Sequence, residues 1–307
     1  MLRKCLTFLC FSLFLFAYEL KLPSNLTALN SEGKFLFIGT IKGEILSFDT
    51  EKKELKEIFA LQNIKNYYDD KADSQIYSLD IFNNQLLIVS SGDFGGLNLG
   101  VLNLKTKEFT SKKLDFDSVK KAFFIDENTI LLALLSSDIK LLNLKDLKEI
   151  KSFKFSHSSL NDAALSKDRT KLVTGFESGE VKLFDIPKWQ LEFNYDKNHK
   201  DGIYQVDIKN NTLISCSTDR KIGLIKNGKE SFLQKNFLIY ACALNENAKV
   251  LAYADNEAGV VELLDTKDFK PLFKAENVNF MVEFVLFMGE NTFLIAGFHD
   301  KILIFDR

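Results

Sequence analysis

Few residues of this chain have the types and spacing that chemistry needs. Its three histidines, His157, His199 and His299, lie far apart in sequence. His199 is followed by Ser215 and Asp219, and a Ser, His and Asp together are the composition of an acyl-transfer centre. The same three residue types also build buried hydrogen-bond relays, and the sequence around them favours that reading. Cys216 and Cys242 lack the pairwise spacing of a zinc-ligand set. There is no C-x-x-C-H for covalent heme, and neither phosphate-cradling glycine motif, GxxxxGK[ST] nor GxGxxG, occurs. No catalytic residue, cofactor or metal is therefore expected.

The elements that must position these residues follow a phrase that recurs seven times: a small turn, a short apolar strand, then Asp or a stand-in. Its anchors are Asp49, Asn103, Asn143, Asp185, Lys226, Asp265 and Asp306, separated by 54, 40, 42, 41, 39 and 41 residues. That period, with room for four short strands per unit, predicts an all-β, seven-bladed β-propeller. From ring centre to rim the strands are A, B, C and D. Inner A strands are expected at Ile76–Phe82, Leu238–Leu244 and Phe280–Phe287, among others. The apolar B and C runs read as strands buried on both faces. The D strands are rich in lysine and glutamate, as exposed sheet edges need to be. Asn83-Asn84 and Asn210-Asn211 supply tight A-to-B turns. After the seventh C strand the chain stops, so one outer strand is missing. Glu19–Leu22 is expected to fill that place against Lys301–Phe305 and close the ring.

Met1–Ala17 stands apart. Arg3 and Lys4 precede a continuous apolar run, Leu6–Phe16, too short to cross a bilayer comfortably as a helix. A small residue, Ala17, ends it and polarity returns at Tyr18-Glu19. This is a secretory leader pattern, which places the mature protein, residues 18–307, in the periplasm as one propeller domain without stable membrane insertion. The whole chain carries a formal charge of −2, with 40 basic and 42 acidic residues, and losing Arg3 and Lys4 makes it more acidic. That balance leaves nothing to drive nucleic-acid binding. Cys5 and Cys10 leave with the leader. Cys216 and Cys242 sit in strand-like runs, and facing sheets about 10 Å apart do not bring Cα atoms to disulfide range, so free buried thiols are expected.

At residues 198–226 the pattern becomes residue-level. His199-Lys200-Asp201-Gly202 resembles the glycine–histidine entry of tryptophan–aspartate (WD) repeats, and Ser215-Cys216-Ser217-Thr218-Asp219 resembles their strand B serine and turn aspartate. The resemblance implies a structural relay in which Asp219 bonds His199 and His199 bonds Ser215. Ile225 stands at the family's tryptophan position, so the relay should end at Ser215. In blade four His157 looks like the entry histidine, with Thr174 at the serine position and Ser178 at the turn position. Phe48, Phe184 and Phe305 replace tryptophans. A narrower resemblance, carried by the leader, the start YELKLPSNLTAL and the Lys- and Phe-rich divergent propeller, is to the L-type accessory proteins of periplasmic nitrate reductase systems in ε-proteobacteria. It implies a partner such as a reductase or cytochrome.

The first interval is longer than the rest, and its surplus falls in Leu61–Ser74 and Ser91–Gly100. Insertions of this kind map to loops on one face and often bind. Tyr67, Tyr68, Asp69 and Asp70 form an aromatic–acidic cluster there, expected as the contact of a monomeric, non-catalytic protein-binding scaffold. The alternative is a small-ligand propeller enzyme of lactonase type, with acids such as Asp162 and Asp201 converging at the central channel.

Overall fold

Among the described residues, short apolar runs of four to seven residues, punctuated by Asn, Asp and Gly, fold as 28 strands with a single one-turn 3-10 segment. A computed structural model describes residues 17–116, 118–196, 199–254, 259–275 and 278–306. Of the expected leader, residues 1–16 lie outside the described residues. The strands make seven four-stranded antiparallel meanders, and six of them take their strands in chain order. Blade one is β2 (Leu26–Glu32), β3 (Phe35–Thr40), β4 (Glu44–Asp49) and β5 (Glu54–Ala60). Blades two to six follow at 76–114, 119–154, 160–195, 203–234 and 241–275. The chain is a seven-bladed β-propeller.

Blade seven is the one built from both ends. β26 (Phe284–Met288), β27 (Thr292–Ala296) and β28 (Lys301–Asp306) are completed by β1 (Ala17–Lys21), which pairs antiparallel with β28. Leu20 lies opposite Ile302 and Glu19 opposite Leu303. The closing strand thus begins two residues earlier than expected. Leu22 leaves the ladder, donating its N–H to Asp300 O at 2.6 Å. Leu20 and Leu22 are buried with Leu26, Phe48 and Ile304, so closure also builds the seam between blades seven and one.

Strand burial follows the pleat. The B strands are buried almost end to end, whereas the D strand of blade four, Gln190–Tyr195, is exposed at all but its last residue. Phe48, Phe184 and Phe305, at the WD tryptophan positions, are all buried. Phenylalanine keeps the apolar bulk and drops the indole donor. Asn83, Asn84, Asn210 and Asn211 all take positive φ, between 45° and 61°, as two-residue hairpin turns demand. The inner strand of blade six begins later than expected, at Ala241, and that of blade seven begins at Phe284. Phe280 and Val282 turn into the core, and the preceding chain keeps single bonds to the ladder, Tyr240 N–H to Ala254 O and Glu283 N–H to Ala296 O.

An innermost strand has one edge with no sheet partner, and its N–H groups need acceptors. The preceding blade provides them. Asp80 accepts from Phe124 N–H at 2.8 Å, Asp162 from Val206 at 3.0 Å and Asp207 from Leu244 at 2.9 Å. Ser78 accepts from Ala122 N–H and Gln205 from Cys242 N–H. These bonds hold the ring together around its axis. Asp162, read from sequence as a loop acid, is instead a buried member of this set, with Lys121 3.8 Å away. Burial raises its carboxyl above the usual carboxylate range, against the opposing pull of Lys121.

Candidate functional site

The structure brings His199, Ser215 and Asp219 together. His199 lies in the D-to-A connection entering blade five, Ser215 on that blade's second strand and Asp219 in the turn after it. Nδ1 of His199 is 3.2 Å from Asp219 Oδ1, and Nε2 is 2.8 Å from Ser215 Oγ. The carboxylate can only accept, so Nδ1 carries a proton and Nε2 is left to pair with the Ser215 hydroxyl. Asp219 also accepts N–H groups from Lys200 and Lys221. Burial alone would raise Asp219, but the His199 ring and the Lys200 N–H outweigh it and hold the pKa at about 2. Ser215 is 1% exposed and His199 3%. A reacting hydroxyl must be reached by substrate, and this one is not.

One member of the set was invisible in the motif. Gly223 lies opposite Ser215 on the next strand, and a β-carbon there would stand 2.6 Å from Ser215 Oγ and 2.9 Å from His199 Nε2. The relay therefore needs glycine at 223. Blade four departs from its expected copy of the relay. His157 is exposed, and Thr174 gives its hydroxyl to Lys182 O. In its place Ser156 and Ser178 both donate to Glu180, which pairs with buried Lys182 at 3.1 Å. Lys182 sits opposite Thr174, where blade five has Gly223, and its side chain fills the space a relay histidine would need. His299 is exposed, against the Phe280 ring.

The Leu61–Ser74 loop is ordered by its own bonds. Ile64 and Ala72 exchange both backbone bonds at 2.9 Å, and Asn66 Oδ1 accepts from Tyr68 and Asp69 N–H, each at 2.7 Å. The loop is also tied to the turn after the second strand of blade two. Lys65 N–H donates to Asp93 Oδ1 at 2.8 Å, and Phe94 N–H donates to Lys65 O at 2.7 Å. Phe94 holds a φ of 53°, a left-handed conformation that non-glycine residues seldom take. That geometry sets its ring 5.6 Å from Tyr67. Tyr68 is 97% exposed and Tyr67 78%, with Phe94 beside them at 54%. Phe94 was missed from sequence because nothing local links residue 94 to residue 67. Beside the cluster runs an open groove of about 410 Å³, lined by Ile64, Asp73, Tyr77, Gly95 and Val119 among others.

The cluster belongs to a wider pattern. D-to-A and B-to-C connections share one face of the ring. Ile41, Leu135 and Phe298 at B-to-C turns, and Phe237, Leu238 and Met281 in D-to-A connections, are all exposed there. Toward the opposite face, Phe35 is exposed at the start of its strand, and Ile150, Leu191 and Leu272 are exposed where outer strands begin at the rim. Contiguous exposed apolar surface marks interaction sites, whereas scattered residues do not. Around Tyr67, the acids Asp69, Asp70, Asp73 and Asp93 outnumber Lys65 and Lys71. Among the described residues, no three His, Cys, Asp or Glu side chains group so as to hold a metal ion.

No protein-family model matches this chain, and no curated protein matches its sequence. Its fold is similar to the β-propeller domain of Cps50 (Swd1) from Myceliophteria thermophila, with a TM-score of 0.75 over 94% of this chain and 98% of that one. Identity across that match is 12%, so the likeness speaks to architecture alone.

Proposed function

We propose that this propeller is a non-catalytic scaffold that docks a protein partner on the face bearing Tyr67, Tyr68 and Phe94. The observation that carries the reading is the ordered, nearly fully exposed aromatic cluster on that face. Large aromatic side chains are the usual interface anchors, and a loop already held by its own hydrogen bonds loses little entropy on binding. The acidic surround favours a partner with a basic rim. The leader pattern of Met1–Ala17 puts the meeting in the periplasm. The resemblance to nitrate reductase L-type accessory proteins makes a respiratory reductase or its cytochrome the first partner to try. The lactonase-type alternative is less well supported. Of the two acids expected at its channel, Asp162 is buried and accepts the Val206 N–H of the next blade, whereas Asp201 is exposed and accepts the Gly202 N–H beside it.

The test is capture of periplasmic proteins on the tagged mature chain, with Tyr67→Ala/Tyr68→Ala as comparison. Hot-spot tyrosines should weaken capture by about 2 kcal/mol or more, roughly 30-fold, with folding intact. Equal capture by the double variant would turn attention to the opposite face.

A further inference from the structure

The mouth of the central channel on the docking face holds a carboxylate with one buried oxygen to which no protein group donates. In five blades one residue near the start of the inner strand drops out of the ladder: Thr27, Tyr77, Lys120, Asn161 and Tyr204. Tyr240 and Glu283 hold the corresponding places in blades six and seven, each donating N–H to the last residue of the second strand. These seven positions ring the mouth. Tyr204 and Tyr240, on adjacent blades, pack at 5.1 Å. Glu283 follows on the next blade. Its Oε2 is buried and has no hydrogen-bond partner, alone among the described side-chain oxygens and nitrogens. The charged residue nearest in kind, Lys120, stands on blade three, across the ring from blade seven.

A buried carboxylate oxygen without a donor destabilises the protein that carries it. Burial also raises the Glu283 carboxyl above its usual range. Every other buried side-chain oxygen or nitrogen among the described residues has a protein partner, so this oxygen is the one left able to accept from an incoming donor. The site is anionic and half-buried, and the equivalent place on the adjacent blade holds Tyr240; tyrosine faces attract cations and stack best with a planar guanidinium.

We infer that Glu283, with Tyr240 at the equivalent place on the adjacent blade and Tyr204 packed on Tyr240, is the receptor for one basic side chain of the docked partner, arginine in preference to lysine. This rests on the docking reading above and adds the chemistry of its central contact.

The test uses the mature chain and Nα-acetyl-arginine amide as probe, followed by NMR titration. Saturable shifts in Tyr240 and Tyr204 are expected for the natural protein, with affinity at least about tenfold weaker in Glu283→Gln. The free Glu283→Leu protein should melt no lower than the natural one, because the replaced group has no partner to lose. A lower melting temperature would assign Glu283 a structural role and overturn the inference. So would absent probe binding, undiminished binding in Glu283→Gln, or a Glu283-dependent response to Ca²⁺ instead. The two readings fail separately. If the probe result fails while Tyr67→Ala/Tyr68→Ala still loses partner capture, the docking face stands and this pocket falls. If the probe binds through Glu283 but no partner is captured, the reverse holds.

Discussion

Arg169 and Asp80 meet across the ring, 89 residues apart, with Nη1 2.7 Å from Oδ2. Arg169 sits in the A-to-B turn of blade four, while Asp80 is on the inner strand of blade two. The guanidinium also donates to the carbonyls of Phe124 and Ile81 and lies 4.9 Å from the Phe82 ring. It links blades two, three and four on the face opposite the aromatic cluster. The same Asp80 accepts from Phe124 N–H, so one carboxylate serves both the blade seam and the cross-ring pair.

Removing Arg169 leaves that buried carboxylate without its counter-charge. Arg169→Met should lower stability by about 3–5 kcal/mol, the range for breaking a buried ion pair from one side. Arg169→Met/Asp80→Asn should recover part of the loss. Urea unfolding of the three proteins checks both; a single variant as stable as the natural chain would show the pair to be dispensable.

Asp219 makes stability depend on acid. Its folded pKa of about 2 lies below the ordinary 3.8, so its contribution is present above pH 4 and is lost as pH falls toward 2. The expected contribution is about 1–2 kcal/mol after allowing for solvent screening. Asp185, also held at about 2 through hydrogen bonds from Lys171 and Lys188, titrates in the same window. The informative comparison is therefore between the natural chain and Asp219→Asn, whose stability curve should be flatter between pH 4 and 2. Parallel curves would remove Asp219 from the account.

Gly223→Ala should disturb the relay without touching a relay residue. The new methyl meets Ser215 Oγ and His199 Nε2 well inside normal contact. Separating the two should cost about 1–3 kcal/mol, because it leaves a buried polar group unpaired. The His199 ring resonances report the bond directly, and they should move in Gly223→Ala as they do in Ser215→Ala. Unshifted resonances would contradict the packing described for blade five.

Cys216 and Cys242 are free and buried, with both sulfurs near the Gln205 carbonyl, at 3.5 and 3.7 Å. Burial, with Cys216 alongside, pushes the Cys242 thiol well up, and a protonated thiol is a poor nucleophile. In the mature chain neither should react with a thiol reagent until the protein unfolds. Rapid labelling of the native protein would show that the seam between blades five and six opens.

The periodic anchors determined the blade count, because four short strands per repeat can bury their apolar faces only by stacking into a ring. Leu20, alternating with Glu19 and Lys21, was enough to mark the closing strand, since one apolar residue in a polar edge has one side to bury. His199, Ser215 and Asp219 were legible because turn and strand geometry fix their offsets within one repeat. Tertiary structure decided the rest. Gly223 matters for the space beside a histidine 24 residues away, and Phe94 for a ring brought to it by a separate loop. His157 kept its place in the motif but lost its role to Lys182, because a long side chain and a histidine cannot share one gap. The cysteines shared a seam because Cys216, on the second strand of blade five, and Cys242, on the inner strand of blade six, converge on the Gln205 carbonyl, closer than mean sheet spacing implies. Arg169 with Asp80, and Glu283 without a partner, depend on which side chains face the axis from different blades. Sequence period says that blades close into a ring, but complementarity across the ring arises only when distant turns meet.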